Sequence, residues 1–393
     1  MLSKLNSDQI KILKISSIFF ILQIFFTFSL NLYIFKYYNS ITNIALGNLF
    51  ATISIFLWFL TIYITNHYIK IYIWYIYNLS FTFFIIAGIC IVNWALYMLL
   101  VGYFIFGLAN GLYYFATNFL EIKSTTPEWS LAYSSILTNI SWISNFIIPI
   151  FTGLIISKFD NWYISNNIIF WLQILLSIFW LIFSWNITDK YIDKQNHYKD
   201  NNKLYNITTQ NKYNLTYWFF KWMIGMSSFL WVMVWFFIIK SSLNISIYES
   251  FTRILSFIFV FLIGKNISNN FDKKLILIIC IIISLITWFF GFYFGIISFV
   301  IFTIAKIFLW PIFGTLDKPF TLNIIQKYKL QNISTISVMI YQELLMLLWR
   351  VCIISSIYMI WIYHSDLIAL QIGLWIYGLI FTVIWYIYYH NKL

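Results

Sequence analysis

KLILIICIIISLITWFFGF, Lys274–Phe292, carries no charge after its first residue. About 20 mainly apolar residues are needed for a helix to cross ~30 Å of hydrocarbon, and this run has that length. A strand of such unbroken apolarity does not build a barrel with a polar lumen, because barrel strands alternate. The run therefore reads as a spanning helix. Outward from it the pattern recurs, giving twelve spans at 15–35, 41–65, 71–92, 94–118, 131–157, 166–187, 215–239, 245–264, 274–292, 294–313, 335–360 and 367–389. The pairs 71–92/94–118 and 274–292/294–313 have almost nothing polar between them. The fold class expected is an all-α polytopic membrane protein.

Composition supports this. The 393 residues are 62% hydrophobic and 9% charged. A soluble domain has about a quarter of its residues charged, and so few charges would not cover the surface of a soluble globule this size. The net charge of +12 reads as membrane topology and not as a nucleic-acid surface, since the lysines cluster in the breaks between spans. With the N-terminus in the cytoplasm, 18 of the 24 Lys and Arg residues lie inside. Lys36, Lys158 and Lys240 then lie outside, and Arg253, Lys306 and Arg350 fall within spans. Both termini are expected in the cytoplasm, and the first span is expected to be retained rather than cleaved. Cys90, Cys280 and Cys352 each lie inside an apolar run and offer neither a disulfide framework nor metal spacing.

The longest polar stretch, 188–214, divides the chain into near-equal parts. The expected organisation is a six-helix bundle at 1–187, a cytoplasmic loop at 188–214 and a second six-helix bundle at 215–393. The halves match in detail. A charged turn follows the second span of each, Asn66–Lys70 and Gly264–Lys274. A longer polar loop follows the fourth, Glu121–Glu128 and Gly314–Gln331. Repeats of six spans with a site between them are a transporter plan.

On these residues the chain resembles the major facilitator superfamily over its whole length. The turn Gly264-Lys265-Asn266-Ile267-Ser268-Asn269-Asn270-Phe271-Asp272-Lys273-Lys274 is similar to the family's Gly-x-x-x-Asp-Arg-x-Gly-Arg-Arg motif. It keeps the first glycine and the basic end, with Ser268 where the family acid stands. The first-half copy, with His67 and Lys70, keeps only cations. Gly107-Leu-Ala-Asn110-Gly111-Leu-Tyr-Tyr114 through Asn118, with Pro149–Gly153, is similar to the fourth and fifth spans of bacterial permeases. Tyr341-Gln342-Glu343 through Trp349-Arg350 is similar to their eleventh. The resemblance implies two pseudo-symmetric six-helix bundles, a bacterial plasma-membrane location, a monomer, no cofactor, and Gly264, Asp272 and Lys273 as a gating turn.

Ionisable residues deep in a span cost ~2.5–3.5 kcal/mol each on insertion scales and usually face a bundle interior or a water-filled path. Five stand out, all in the second half: Glu249, Arg253, Lys306, Glu343 and Arg350. Glu249 and Arg253 are four apart and can pair on one helix face. Glu343 and Arg350 are seven apart, two turns removed, so each is expected to meet a partner on another helix. Three cations to two carboxylates favour an anionic solute or a shared proton. The same five also read as neutralised pairs that lock helices together, which leaves substrate/ion coupling and structure both open. The uncharged polar candidates are Gln23 and Asn31 in the first span and Asn110, Tyr114 and Asn118 at four-residue steps in the fourth. By the family plan, in which the first, fourth, seventh and tenth spans line a cavity, Trp231, Trp235 and Trp310 join Gln23, Asn31, Asn110, Tyr114 and Lys306 there. Interhelical hydrogen bonding is the alternative for the polar residues. Gly102, Gly107 and Gly111 mark close helix approach, and Pro149 and Pro311 mark kinks.

Enzyme signatures do not occur in the sequence. It contains no Gly-x-x-x-x-Gly-Lys-Ser/Thr, Gly-x-Ser-x-Gly or His-Glu-x-x-His, and His67, His197, His364 and His390 have no ligand spacing. Neither catalytic nor metal residues are expected. The reading is a secondary transporter for a small solute, driven by protons or by the solute gradient. A lipid-linked glycan flippase and a degenerate, non-transporting family member stay open beside it. The external breaks are too short for the catalytic loop of a polymerase.

Overall fold

The computed structural model describes residues 6–38, 41–92, 96–124, 127–159, 162–183, 191–192, 234–235, 237–239, 241–264, 273–330, 335–363 and 366–390. The first half is α1 (Ser7–Tyr38), α2 (Ile41–Tyr68), α3 (Ile73–Val92), α4 (Leu96–Ser124), α5 (Pro127–Lys158) and α6 (Trp162–Phe183). The second half contributes α7 (Ser242–Gly264), α8 (Lys273–Phe292), α9 (Ile296–Leu330), α10 (Thr335–Tyr363) and α11 (Asp366–His390). The seventh expected span, 215–239, is described only as helical fragments at 234–235 and 237–239. Among the described residues, ten helices are long and apolar enough to cross a membrane. The chain is a multi-pass membrane protein.

Local signals set the helix ends. At the start of α1, Gln9 N–H donates to Asn6 Oδ1 at 2.8 Å while Asn6 N–H donates to Gln9 Oε1 at 3.0 Å. This reciprocal pair satisfies two donors that a helix start would otherwise leave orphaned. The nearly continuous run 274–313 breaks at 293–295, where Gly295 N–H donates to Ser298 Oγ at 3.1 Å and opens α9.

Three helices clearly outrun the sequence reading. The first span was expected to begin at 15, yet α1 begins at Ser7. The fourth span was expected to end at 118, yet α4 continues to Ser124. The tenth was expected to end at 313 with a polar loop from Gly314 to Gln331, yet α9 is helical to Leu330. Helix geometry does not need apolar residues, so the polar tails simply carry the helix beyond the apolar run. Two short strands, β1 (Ile71–Tyr72) and β2 (Tyr191–Ile192), pair antiparallel with Ile71 opposite Ile192. They tie the turn after α2 to the chain beyond α6. Apart from β2, the expected 188–214 loop lies outside the described residues.

In the first half, α4 packs on both α2 and α3, α3 on α6, and α1 on α5 and α6. A Cβ on Gly111 would stand 2.7 Å from the Ile55 carbonyl oxygen, so the α2–α4 contact at this level requires glycine. Phe26 stacks on Phe106 with ring centroids 3.9 Å apart, and Phe84 meets Phe106 edge-on. In the second half, α8 packs on α11 and on α9, and α7 on α9. The two bundles meet along α5–α7, α5–α9 and α2–α10. Leu154, Leu175 and Ile297 are more than half exposed on the outside, as apolar side chains facing lipid should be.

Candidate functional site

Two polar clusters sit where the bundles meet. The first is built on α7 and α9. Glu249 is buried on α7. Arg253, one turn on, donates from Nε to Glu249 Oε1 at 2.5 Å, and a terminal guanidinium nitrogen touches the same oxygen. Lys306 of α9 donates to Glu249 Oε2 at 3.2 Å. The expected pair is therefore a triad, one carboxylate between two cations. Aromatic faces complete it. Lys306 Nζ lies 4.7 Å from the centroid of the Trp235 ring, and the Arg253 guanidinium lies 4.7 Å from that of Trp142 on α5. Such contacts offer a cation an electrostatic partner in a place poor in water. Tyr248 hydroxyl meets Thr303 hydroxyl at 2.7 Å beside the triad. Both Arg253 and Ser250, which donates to the Phe146 carbonyl at 2.9 Å, reach across to α5.

The second cluster joins α1 and α4 of the first half to α10 of the second. Gln23 Nε2 donates to the Tyr114 hydroxyl at 2.8 Å. Tyr114 lies within electrostatic range of both Glu343 and Arg350, and those two act on one another. Glu343 and Arg350 are both buried. Among the described residues, Glu343 makes no ion pair or hydrogen bond with its carboxylate, so the partner expected on another helix is not found there. One turn before Tyr114, the Asn110 side-chain oxygen is buried with no hydrogen-bond partner among the described residues. A phenol bonded by an amide in one bundle thus lies within electrostatic range of a carboxylate and a guanidinium in the other. Together they can bind a small molecule that carries both donors and acceptors.

The other expected site residues fall elsewhere or outside. Asn31 is buried and its Oδ1 accepts from the Tyr103 hydroxyl at 2.5 Å, an α1–α4 bond. Asn118 is half-buried on α4. Trp310 does not follow Lys306 toward α7. Its ring stacks on Tyr377 of α11 at 5.8 Å and packs against Phe302 and Phe381. Trp231 and Asp272 lie outside the described residues. Gly264 ends α7 and Lys273 begins α8, with the turn between them also outside.

Three participants were not foreseen. Glu121 is a buried carboxylate in the first half and accepts from the Tyr133 hydroxyl at 2.7 Å. The first half is thus not free of buried charge, because the longer α4 carries Glu121 inward against α5. Trp142 and Tyr103 carry no charge, and nothing in their spacing separates them from the many other aromatics.

No protein-family model and no curated protein sequence matches the chain. Solved structures do. The chain is similar to the human organic anion transporter MFSD10 (TM-score 0.64, 8% identity, 97% of this chain and 99% of that one). It is similar to the nucleoside transporter NupG (0.62, 13%, 98% and 100%). It is also similar to the proton:xylose symporter XylE bound to 6-bromo-6-deoxy-D-glucose (0.66, 10%, 97% and 95%). Identities this low speak for architecture alone, and on that ground the chain has the fold of the major facilitator superfamily.

Proposed function

We propose that this protein is a secondary active transporter that carries a small polar solute by alternating access. The observation that carries the reading is the convergence of Gln23 and Tyr114 from one bundle with Glu343 and Arg350 from the other. A solute held there touches both bundles at once. Rocking one against the other then exposes it to each side in turn. The two halves are 1–187 and 215–393, joined through 188–214.

Within this reading the two clusters divide the work. The Glu249–Arg253–Lys306 triad satisfies itself and anchors the α5–α7–α9 contact. Glu343, buried without a bonded partner among the described residues, is the group that takes up and releases a proton. Arg350 and the unpartnered Asn110 oxygen hold the solute. The surplus of cations over carboxylates among the five ions favours a solute with an acidic group. The fold neighbours include a proton:xylose symporter, a nucleoside transporter and an organic anion transporter, so the fold accommodates solutes of each kind.

The test is uptake into proteoliposomes under an imposed pH gradient, screened with radiolabelled organic acids, nucleosides and sugars. Glu343→Gln should abolish accumulation against the solute gradient and leave solute exchange between the two sides intact. Proton-driven accumulation that survives Glu343→Gln removes Glu343 from the coupling role. Failure of every solute class to move in the unaltered protein removes the transporter reading itself.

A further inference from the structure

The α2–α3 turn holds a cavity that the solute site does not use. Both helices pack on α4, and they diverge from it to leave a cleft of about 390 Å3. Its walls are Trp58 and Ile62 of α2 and Trp74 and Leu79 of α3, and its floor is Leu112 of α4. Lys70 stands at the end where the two helices join. The strand pair Ile71–Ile192 and Tyr72–Tyr191 crosses beside it. Ile69, Tyr72 and Tyr75, also in the lining, are each close to half exposed or more, so the cleft opens to the surroundings.

We propose that this cleft binds one anionic phospholipid, with its headgroup phosphate on Lys70 and one acyl chain between α2 and α3. Three observations fix the occupant. The walls belong to spanning helices, so what reaches the opening sideways is lipid. The lining is overwhelmingly apolar and suits a hydrocarbon chain, while a water-soluble ligand would leave its polar groups unsatisfied there. Among the described residues, the charge in the lining is a single cation at the membrane-surface end, where Trp and Tyr side chains also gather as they do at headgroup depth. A basic residue there selects a negative headgroup over a zwitterionic one. The bound lipid also bears on the bundle contact, because α2 packs against α10 as well. This inference needs only the membrane placement and is independent of the solute carried.

The test is native mass spectrometry of the full-length protein in detergent, titrated with dioleoylphosphatidylglycerol or dioleoylphosphatidylcholine. One phosphatidylglycerol should be retained roughly fivefold more tightly than phosphatidylcholine, the worth of one lysine near a headgroup. Lys70→Ala should erase that preference while chain-dependent retention persists, and Lys70→Arg should keep it. Leu79→Trp, which fills the cleft, should lower retention of both lipids. If that variant does not fold, Thr61→Phe fills it from the opposite wall. Glycerophosphorylglycerol, a headgroup without chains, should not compete. The proposal is overturned if Lys70→Ala keeps the preference, if filling the cleft leaves both lipids bound, or if the free headgroup displaces the lipid.

Discussion

Removing Glu249 should unfold the second half far more readily than removing Lys306, although the two touch each other. Glu249 is the one carboxylate between two cations. Glu249→Ala leaves both cations in a region poor in water with no carboxylate between them. Breaking a buried pair in this way costs about 3–5 kcal/mol. The lower end applies, because the Arg253 side chain is 21% exposed and keeps some solvent, while Lys306 is 8% exposed and keeps little. Lys306→Met instead removes a charge that was costly to bury and leaves Glu249 bonded to Arg253, so its effect should stay within about 1 kcal/mol. The double variant should recover about 1–2 kcal/mol relative to Glu249→Ala alone, because it no longer strands Lys306. Equilibrium unfolding by denaturant in mild detergent, followed by tryptophan fluorescence, measures all three. The triad argument fails if Lys306→Met costs as much as Glu249→Ala, or if the double variant is no more stable than Glu249→Ala.

Three further substitutions probe other contacts. At Gly153 a Cβ would stand 2.5 Å from the Ser246 Cβ, so Gly153→Val should strain the α5–α7 contact by about 1–3 kcal/mol, and a folded variant should show slowed uptake in proteoliposomes. Tyr133→Phe deprives buried Glu121 of a hydrogen bond and should cost about 2 kcal/mol in the same unfolding assay, whereas a change near zero would mean that solvent reaches Glu121. Tyr103→Phe leaves Asn31 Oδ1 without its donor and should cost about 1 kcal/mol, with solute affinity unchanged if Asn31 serves packing rather than binding.

The spans were legible because membrane crossing imposes a length and a composition on each helix separately. Lys274–Phe292 declares itself with no knowledge of its neighbours. The pairing of Glu249 with Arg253 was legible for the same reason, since four residues of helix fix it. Lys306 reaching Glu249 was not, because 57 residues separate them and only the α7–α9 packing brings them together. Glu121 was hidden by treating the end of apolarity as the end of the helix. The extension to Ser124 costs nothing in helix geometry and swings the carboxylate against Tyr133. The stacking of Trp310 on Tyr377 was not legible, because a shared face with Lys306 sets only a rough direction. Rings on α11 were available to stack on, and no ion was required on that side.

The contrast between the two clusters follows from how each carboxylate is satisfied. Glu249 has a cation on each oxygen and two aromatic faces behind those cations, so any change in its protonation would undo several contacts at once. That arrangement resists change and suits an anchor between packed helices. Glu343 sits as deep, yet Arg350 is two turns away and the carboxylate binds none of the described residues. A proton or a solute arriving there has few existing contacts to break. Tyr114, which feels its charge, belongs to the opposite bundle, so under the proposed function whatever binds is felt across the boundary between the bundles. If the chain cycles between two arrangements, the energy difference that selects between them is therefore set at Glu343 rather than at Glu249. Swapping the chemistry of the two sites one at a time, Glu249→Gln against Glu343→Gln, should accordingly separate loss of stability from loss of coupling.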